Sequence, residues 1–155
     1  MSPDTPDARA AGPLVSIFIR SVDRDSLFAA LDSIATQTYP NIEVVVAAAV
    51  PDHRPLPSRC GPHPLRLLPT SGRLARSQCA NKALDAAQGK LLMFLDDDDW
   101  LLPSHVSRLA TVFHMLPGLL VAYTGIALVD EKDQPLGQVF DVPFDNLRLL
   151  SGNLM

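Results

Sequence analysis

The sequence has few cysteines, no glycine-rich phosphate loop and no long uninterrupted hydrophobic run. Its two cysteines, Cys60 and Cys79, follow no metal-binding spacing, and one pair makes no disulfide framework, which favours reduced thiols in a cytoplasmic setting. Neither G-x-G-x-x-G nor G-x-x-x-x-G-K occurs, which excludes the two common glycine-rich loops for phosphate. Any phosphate that the protein binds must therefore be held in another way.

An excess of positive charge and an obvious membrane span are also absent. The formal net charge is −4, which argues against general binding to nucleic acid. The stretch 111–129 lacks Asp, Glu, Lys and Arg, but Pro117 and Gly118 interrupt it and split it into a helix end and a following strand. Residues 1–13 contain no apolar signal region and are predicted to be a disordered tail. Residues 14–155 are expected to form one domain.

Alternating strand and helix patterns predict the fold class. Apolar runs typical of strands covered on both faces occur at 14–19, 42–48 and 90–95. A first helix is predicted after a cap at Asp25 or Ser26, because Leu27, Leu31, Ile34 and Ala35 form one apolar face. Apolar residues at helical spacing predict two further helices over 74–87 and 103–117. Shorter strands are predicted at 65–68, 119–123, 126–129 and 136–140. This alternation predicts an α/β protein with a mostly parallel sheet covered by helices.

Four consecutive aspartates, Asp96 to Asp99, follow the strand predicted at 90–95. Carboxylates cannot enter the core with that strand, so they must lie at its carboxyl end, the edge at which open α/β sheets bind ligands. Clustered carboxylates repel one another unless a cation lies among them, and such hard oxygen ligands suit Mg²⁺ or Mn²⁺. A phosphate is the expected partner of that cation. A solvated acidic loop explains the same residues without a ligand, and residue type alone does not separate the two interpretations.

Several segments of the chain resemble the signature of family 2 glycosyltransferases, which have the GT-A fold. These segments are the strand at 14–19, Gln37-Thr38-Tyr39-Pro40, the strand at 42–46, Ala75-Arg76, and residues 94–103 around the four aspartates. The resemblance runs from about Leu14 to the end of the chain. It implies a Rossmann-like GT-A sheet with helices on both faces, and a bacterial enzyme that transfers a sugar from a nucleotide-diphospho-sugar to an acceptor.

The resemblance also implies site residues. The D-x-D motif of the family matches Asp96-Asp97-Asp98, with Asp98 as the first choice of metal ligand and Asp96 facing the ribose or the metal. Donor contacts are implied for Ser21, Asp23, Arg76, Asp96 and Asp97. The implied cofactor is Mg²⁺ or Mn²⁺, and the expected donor is a UDP-sugar. The protein is expected in the cytoplasm or loosely associated with the inner membrane face, and a glycan, lipid or protein acceptor and a homo-oligomer all stay open.

Departures from the family pattern leave two functions open. Residues 47–49 are all alanine where the family usually has a pair of aspartates that read the base, and residues 20–23 read Arg-Ser-Val-Asp in place of Pro-Thr-Tyr-Asn. The chain stops near the point where the acceptor half of relatives begins, so the general base is expected outside it. One interpretation is the donor-and-metal half of a glycosyltransferase, inactive or nearly so alone. The alternative is a degenerate, non-catalytic GT-A-like module for binding or assembly.

A phosphohydrolase of the haloacid dehalogenase type is a third interpretation of the acidic motif. Such enzymes also carry an Asp-x-Asp after a strand, with one carboxylate acting as a nucleophile. In them the motif follows the first strand, whereas here it follows a later strand and runs into Trp100. This order disfavours the phosphohydrolase.

Overall fold

The computed structural model describes residues 12–141 and residue 143. The chain divides into two compact units, residues 1–115 and 116–155. The elements of the first unit are β1 (Val15–Ser21), α1 (Ser26–Ala35), β2 (Ile42–Ala48), β3 (Arg59–Cys60), β4 (His63–Leu68), α2 (Arg76–Ala86), β5 (Leu91–Asp96) and α3 (His105–Met115). Those of the second unit are β6 (Ile126–Val129) and β7 (Pro135–Phe140). The predicted tail lies outside the described residues, except for Gly12 and Pro13, whose carbonyls accept hydrogen bonds from Asn41 and Tyr39.

A mostly parallel sheet forms the centre of the first unit, with the strand order β3-β4-β2-β1-β5. Strand β1 pairs in parallel with both β2 and β5, and β4 pairs in parallel with β2. Strand β3, which the sequence did not predict, is a two-residue antiparallel addition at the edge. The sheet confirms the predicted α/β class.

Helices cover both faces of this sheet because successive strand side chains point to opposite sides. Ile17 and Ile19 of β1 belong to a core cluster with residues of α1 and α3, such as Leu27 and Val106. Phe18, which lies between them in the strand, packs in a second cluster with residues of α2. The two faces are therefore closed by different helices, as the strand and helix alternation predicts.

Strand β5 is less buried than its apolar sequence predicts. Leu92 and Phe94 are 46% and 65% exposed, although Leu95 is buried and the Phe94 ring meets Phe18 edge to face at 5.2 Å. The reason is topological, since β5 is an edge strand that pairs only with β1 in the part of the chain described here. An apolar run alone does not reveal how many neighbours a strand has.

The second unit contains an antiparallel hairpin, in which β6 pairs with β7. The Asp130 carboxylate accepts hydrogen bonds from the backbone N–H groups of Lys132 and Gln134 and so closes the turn. The strand predicted at 119–123 is not formed, because apolar residues make a strand only where another strand offers hydrogen-bonding partners. Across residues 12–141, no helix is both long enough and apolar enough to cross a membrane.

A buried carboxylate joins β1, β2, β4 and the turn before β5. Glu43 accepts hydrogen bonds from the Ser16 hydroxyl, from Arg66 Nη2 at 3.0 Å and from the Gln88 N–H at 2.6 Å. Burial acts to raise the pKa of Glu43, but these donors outweigh it and lower the pKa below its ordinary value. Gly89 is required beside this network, because a Cβ there would lie 2.6 Å from the backbone nitrogen of Ser16.

Candidate functional site

The acidic residues lie where the strand order of the sheet changes direction. The chain builds from β1 outward through β2 and β4 on one side, and then returns to place β5 on the other side of β1. Asp96, the last residue of β5, lies beside Arg20 of β1, which in turn pairs with Ala47 of β2. Ligands of open α/β sheets bind at the carboxyl ends of the strands at such a switch point. The structure therefore places the predicted motif at the edge where a ligand is expected.

Asp97 ties the end of β5 to the loop that follows β1. Its side chain is 4% exposed, and Oδ2 accepts a hydrogen bond of 3.1 Å from the Val22 N–H. A buried carboxylate needs such donors, because an unpaired one would cost several kcal/mol. Asp97 thus holds the β1 loop against the acidic run, and its contact with a donor stays a prediction.

Asp98 is one of the exposed carboxylates of the run. Its side chain is 55% exposed, and its Oδ2 lies 2.8 Å from Nη1 of Arg24, a residue of the loop between β1 and α1. The same Nη1 lies 3.8 Å from Asp97 Oδ1. A positive charge therefore lies against Asp98, the carboxylate that the family resemblance gives as the first choice of metal ligand.

Asp99 closes a tight turn at the end of the acidic run, where its N–H donates to the Asp96 carbonyl. Desolvation of its carboxyl group, together with the negative charges of Asp98 and Asp96, raises the pKa of Asp99 above its ordinary value. This mutual repulsion is the electrostatic condition that a cation would relieve. The residues from Asp96 to Asp99 thus form a strongly negative edge.

A cavity of 150 Å³ opens beside this edge, between β1, β5 and α2. Its floor is apolar and includes Phe18, Cys79 and Ala83, whereas Arg20, Arg76 and Asp96 supply its polar groups. Arg76 is the first residue of α2, so the amino end of that helix faces the same region. The Arg20 Nε is buried and has no hydrogen-bond partner within the described part of the chain. The cavity therefore offers guanidinium donors above an apolar floor.

The other two predicted donor residues, Ser21 and Asp23, lie in a network with the loop after β2. Ser21 is fully buried, and its hydroxyl accepts from the Asp23 N–H at 3.0 Å and lies 2.8 Å from His53 Nε2. His53 Nδ1 lies 2.8 Å from the Arg54 carbonyl. Arg54 Nε donates to the Asp23 carboxylate at 2.6 Å. The structure thus brings Ser21 and Asp23 to the same sheet edge, but with their polar groups bound to protein atoms.

The Arg54 contacts also fix the backbone of the β1 loop. Asp23 has a left-handed backbone with φ of 68°, and its carboxylate is held by Arg54. Desolvation acts to raise the pKa of Asp23, but the backbone and side-chain hydrogen bonds from Arg54 outweigh it and lower the pKa. Arg54 also contacts Asp25 at 2.8 Å and stacks over the Phe28 ring at 5.6 Å. The loop that carries Arg24 is therefore anchored on both sides.

Sequence reasoning did not identify Arg24, His53 or Arg54 as part of this edge. Arg24 follows the first strand without a motif of its own, and His53 and Arg54 lie in a proline-rich loop that carries no periodic pattern. Only the pairing of β1 with β2 brings the two loops together. The one usable signal was the position of each residue shortly after a predicted parallel strand.

The fold and this edge define an α/β protein of the class that binds ligands at the carboxyl ends of its parallel strands. The model of glycosyl transferase family 2 matches residues 16–127, a segment that includes the sheet, the acidic run and α3. The chain belongs to glycosyl transferase family 2, and its fold is GT-A.

A curated relative is the UDP-Glc:alpha-D-GlcNAc-diphosphoundecaprenol beta-1,3-glucosyltransferase WfaP of Escherichia coli. It is 26% identical over 133 residues, which make up 84% of this chain and 52% of WfaP. The chain therefore spans about half the length of this relative.

Two solved structures show the same fold. The mannosyltransferase PcManGT from Pyrobaculum calidifontis, in complex with GDP-Man and Mn²⁺, matches with a TM-score of 0.54 and 20% identity, over 79% of this chain and 37% of that one. S. aureus TarS 1–349 in complex with UDP-GlcNAc matches with a TM-score of 0.55 and 16% identity, over 75% of this chain and 40% of that one. At these identities the likeness concerns the fold.

Proposed function

We propose that this chain is the part of a glycosyltransferase that binds a nucleotide-diphospho-sugar and a divalent cation at the carboxyl ends of β1 and β5. The observation that carries the proposal is the position of Asp96, the last residue of β5, and of Asp98, two residues further on, at the switch point of the sheet. Membership of family 2 supports the reaction type, the transfer of a sugar from an activated donor.

The carboxylates of Asp96 and Asp98 are suitable ligands for Mg²⁺ or Mn²⁺. The described residues include no group of three or more His, Cys, Asp and Glu side chains arranged to hold a metal. Mg²⁺ needs no such cage, because in nucleotide sites it keeps several waters and binds through one or two carboxylates plus the phosphates. Asp98 and Asp96 would supply those carboxylates. The Arg24 guanidinium, which lies beside Asp98, supports the proposal that a positive charge is favoured at this position. A bound divalent cation would neutralise charge on the departing nucleoside diphosphate.

The cavity beside the acidic edge supports a place for the nucleoside. Its guanidinium groups, on Arg20 and Arg76, are able to donate hydrogen bonds to the carbonyl or phosphate oxygens of a ligand, and its apolar floor suits the face of a ring. We assign the donor as a UDP-sugar, with Arg76, Asp96 and Asp97 among its contacts. The names of WfaP, a UDP-Glc enzyme, and of the TarS complex with UDP-GlcNAc support uridine, whereas PcManGT was solved with GDP-Man.

The acceptor belongs to the same proposal. WfaP by its name acts on a diphosphoundecaprenol-linked sugar, so a lipid-linked glycan is the acceptor we propose, with the protein at the inner face of the membrane. Transfer requires a carboxylate within hydrogen-bond reach of the acceptor hydroxyl. Because the chain spans about half of WfaP, the activity of a whole transferase is part of this proposal.

A non-catalytic binding module remains the second candidate, and two observations favour it. Residues 47–49 offer only methyl groups at the end of β2, and the Ser21 hydroxyl and the Asp23 carboxylate are both bound to protein atoms. A donor base would then find fewer hydrogen-bonding groups than the family usually provides. Such a module would keep the GT-A fold and serve in binding to another partner or in assembly, but it would not bind a nucleotide-sugar.

Calorimetric titration separates the two candidates. We expect UDP to bind in the presence of Mn²⁺ and to bind at least about tenfold more weakly without it, because the cation bridges carboxylates and diphosphate. UMP, which lacks the second phosphate, should gain much less from Mn²⁺, and GDP tests the choice of base. Failure of UDP and GDP to bind with Mn²⁺ would favour the non-catalytic module.

A further inference from the structure

Arg24 forms ion pairs with the acidic run from Asp96 to Asp99. Its Nη1 lies 2.8 Å from Asp98 Oδ2 and 3.8 Å from Asp97 Oδ1. Within residues 12–141, no other Lys, Arg or His side chain forms an ion pair with the run from Asp96 to Asp99. Arg24 is therefore the residue of this range that is ion-paired with the run, whereas Arg20 and Arg76 line the cavity beside Asp96 without such a pair.

The ion pair between Arg24 and Asp98 contributes little to the stability of the fold. The side chains of Arg24 and Asp98 are 53% and 55% exposed, and exposed pairs contribute little to stability. The protein can fold without this ion pair, since water can solvate the Asp98 carboxylate. Asp97, by contrast, is buried and has the Val22 N–H as a partner of its own. The Arg24–Asp98 pair can open without disturbing the fold.

The residues on both sides of Arg24 are held by contacts of their own. Val22 is bound to Asp97, and Asp23 and Asp25 are both bound to Arg54. The guanidinium therefore stays within reach of Asp98 but is free to rotate away into solvent. A divalent cation bound at Asp98 Oδ2 would lie within about 2.5 Å of that oxygen. A guanidinium at 2.8 Å from the same atom would then lie about 4–5 Å from the metal, and the repulsion between the two positive charges would favour its movement off Asp98.

We propose that Arg24 is an internal counter-ion that occupies the cation position at Asp98 and is displaced when a divalent metal binds, so that it sets the metal affinity of the edge. This inference rests on the proposed function, since it takes Asp98 as a metal ligand. Arg24 acts through Asp98 and is a positioning residue. It offsets part of the negative charge of the metal-free edge and makes metal binding weaker than the carboxylates alone would allow.

Titration with Mn²⁺ in the absence of nucleotide tests this directly, with electron paramagnetic resonance of the free ion as the readout. The variant Arg24→Gln should bind Mn²⁺ about three- to fivefold more tightly than the wild type, the size expected when an exposed ion pair no longer competes. Arg24→Lys should bind with an affinity near that of the wild type. The matched control is Arg108→Gln, which changes the net charge equally at an exposed residue of α3 that forms no ion pair within the described residues.

The outcomes separate this inference from the proposed function. If Asp98→Asn loses Mn²⁺ binding but Arg24→Gln binds no more tightly than Arg108→Gln, the counter-ion role is wrong and the metal site stands. Weaker binding in Arg24→Gln would also overturn it, because Arg24 would then hold Asp98 in place for the metal. If the wild type and Arg24→Gln both fail to bind Mn²⁺, or if Asp98→Asn binds as well as the wild type, the counter-ion role and the metal assignment fail together.

Discussion

Replacing Asp98 with Asn is expected to weaken the Mn²⁺-dependent binding of UDP by between about tenfold and a hundredfold. Loss of groups that merely orient metal ligands costs this much, and loss of a ligand should cost no less. Asn keeps the size of the side chain and a carbonyl oxygen, but it removes the negative charge that a hard cation needs. Calorimetry with UDP at saturating Mn²⁺ measures the effect.

The fold of this variant should be unaffected. The Asp98 side chain is 55% exposed and forms its ion pair with the similarly exposed Arg24, so the variant should unfold at the same temperature as the wild type. Asp85→Asn is the matched control, since it removes an exposed carboxylate from α2 away from the edge. Equal UDP affinities in Asp98→Asn, Asp85→Asn and the wild type would remove Asp98 from the site.

Replacing Glu43 with Ala is expected to lower the free energy of unfolding of the first unit by about 2–3 kcal/mol. The change leaves the Ser16 hydroxyl, the Gln88 N–H and one contact of Arg66 without their acceptor. The figure is below that of a fully buried ion pair, because the Arg66 side chain is 41% exposed and water replaces part of the loss. Urea unfolding followed by circular dichroism measures it, with Asp85→Ala as the control.

The pH dependence gives an independent test of the same network. Because the folded-state pKa of Glu43 lies below the ordinary value of 4.5, the stability that its charge contributes is present above that pH. It is lost as the pH falls through the folded-state pKa. The variant Glu43→Gln should therefore lose less stability than the wild type on acidification below about pH 4.5. A wild type and a variant with the same acid profile would show that Glu43 is not charged in the folded protein.

Local sequence patterns predicted the main elements of the first unit. Strands β1, β2 and β5 and helices α1 to α3 begin and end within about two residues of their predicted bounds, because each has a clear apolar period and turn residues at its ends. Local patterns gave wrong predictions where the structure of a segment depends on the strands beside it. The segment 119–123 has the composition of a strand without forming one, and β5 is apolar enough for a central strand but lies at an edge.

The site was predictable where residues follow one another in the chain, and not where loops meet in space. The run from Asp96 to Asp99 could be placed at the carboxyl edge because a strand precedes it directly. The contact of Arg24 with Asp98 joins residues 74 positions apart, and the contacts of His53 and Arg54 with Ser21 and Asp23 join residues about 30 apart. Such pairs depend on the strand order and on loop conformations that no periodicity records.

The most direct test of the account is the position of Mn²⁺ in crystals grown with Mn²⁺ and UDP, located by its anomalous scattering. The account predicts an anomalous peak within about 2.5 Å of the Asp98 carboxylate, with the diphosphate as a further ligand and the Arg24 guanidinium moved off Asp98. The uracil should lie in the cavity between Arg20 and Arg76. A peak at any other part of the chain, or UDP bound away from the carboxyl ends of β1 and β5, would contradict it.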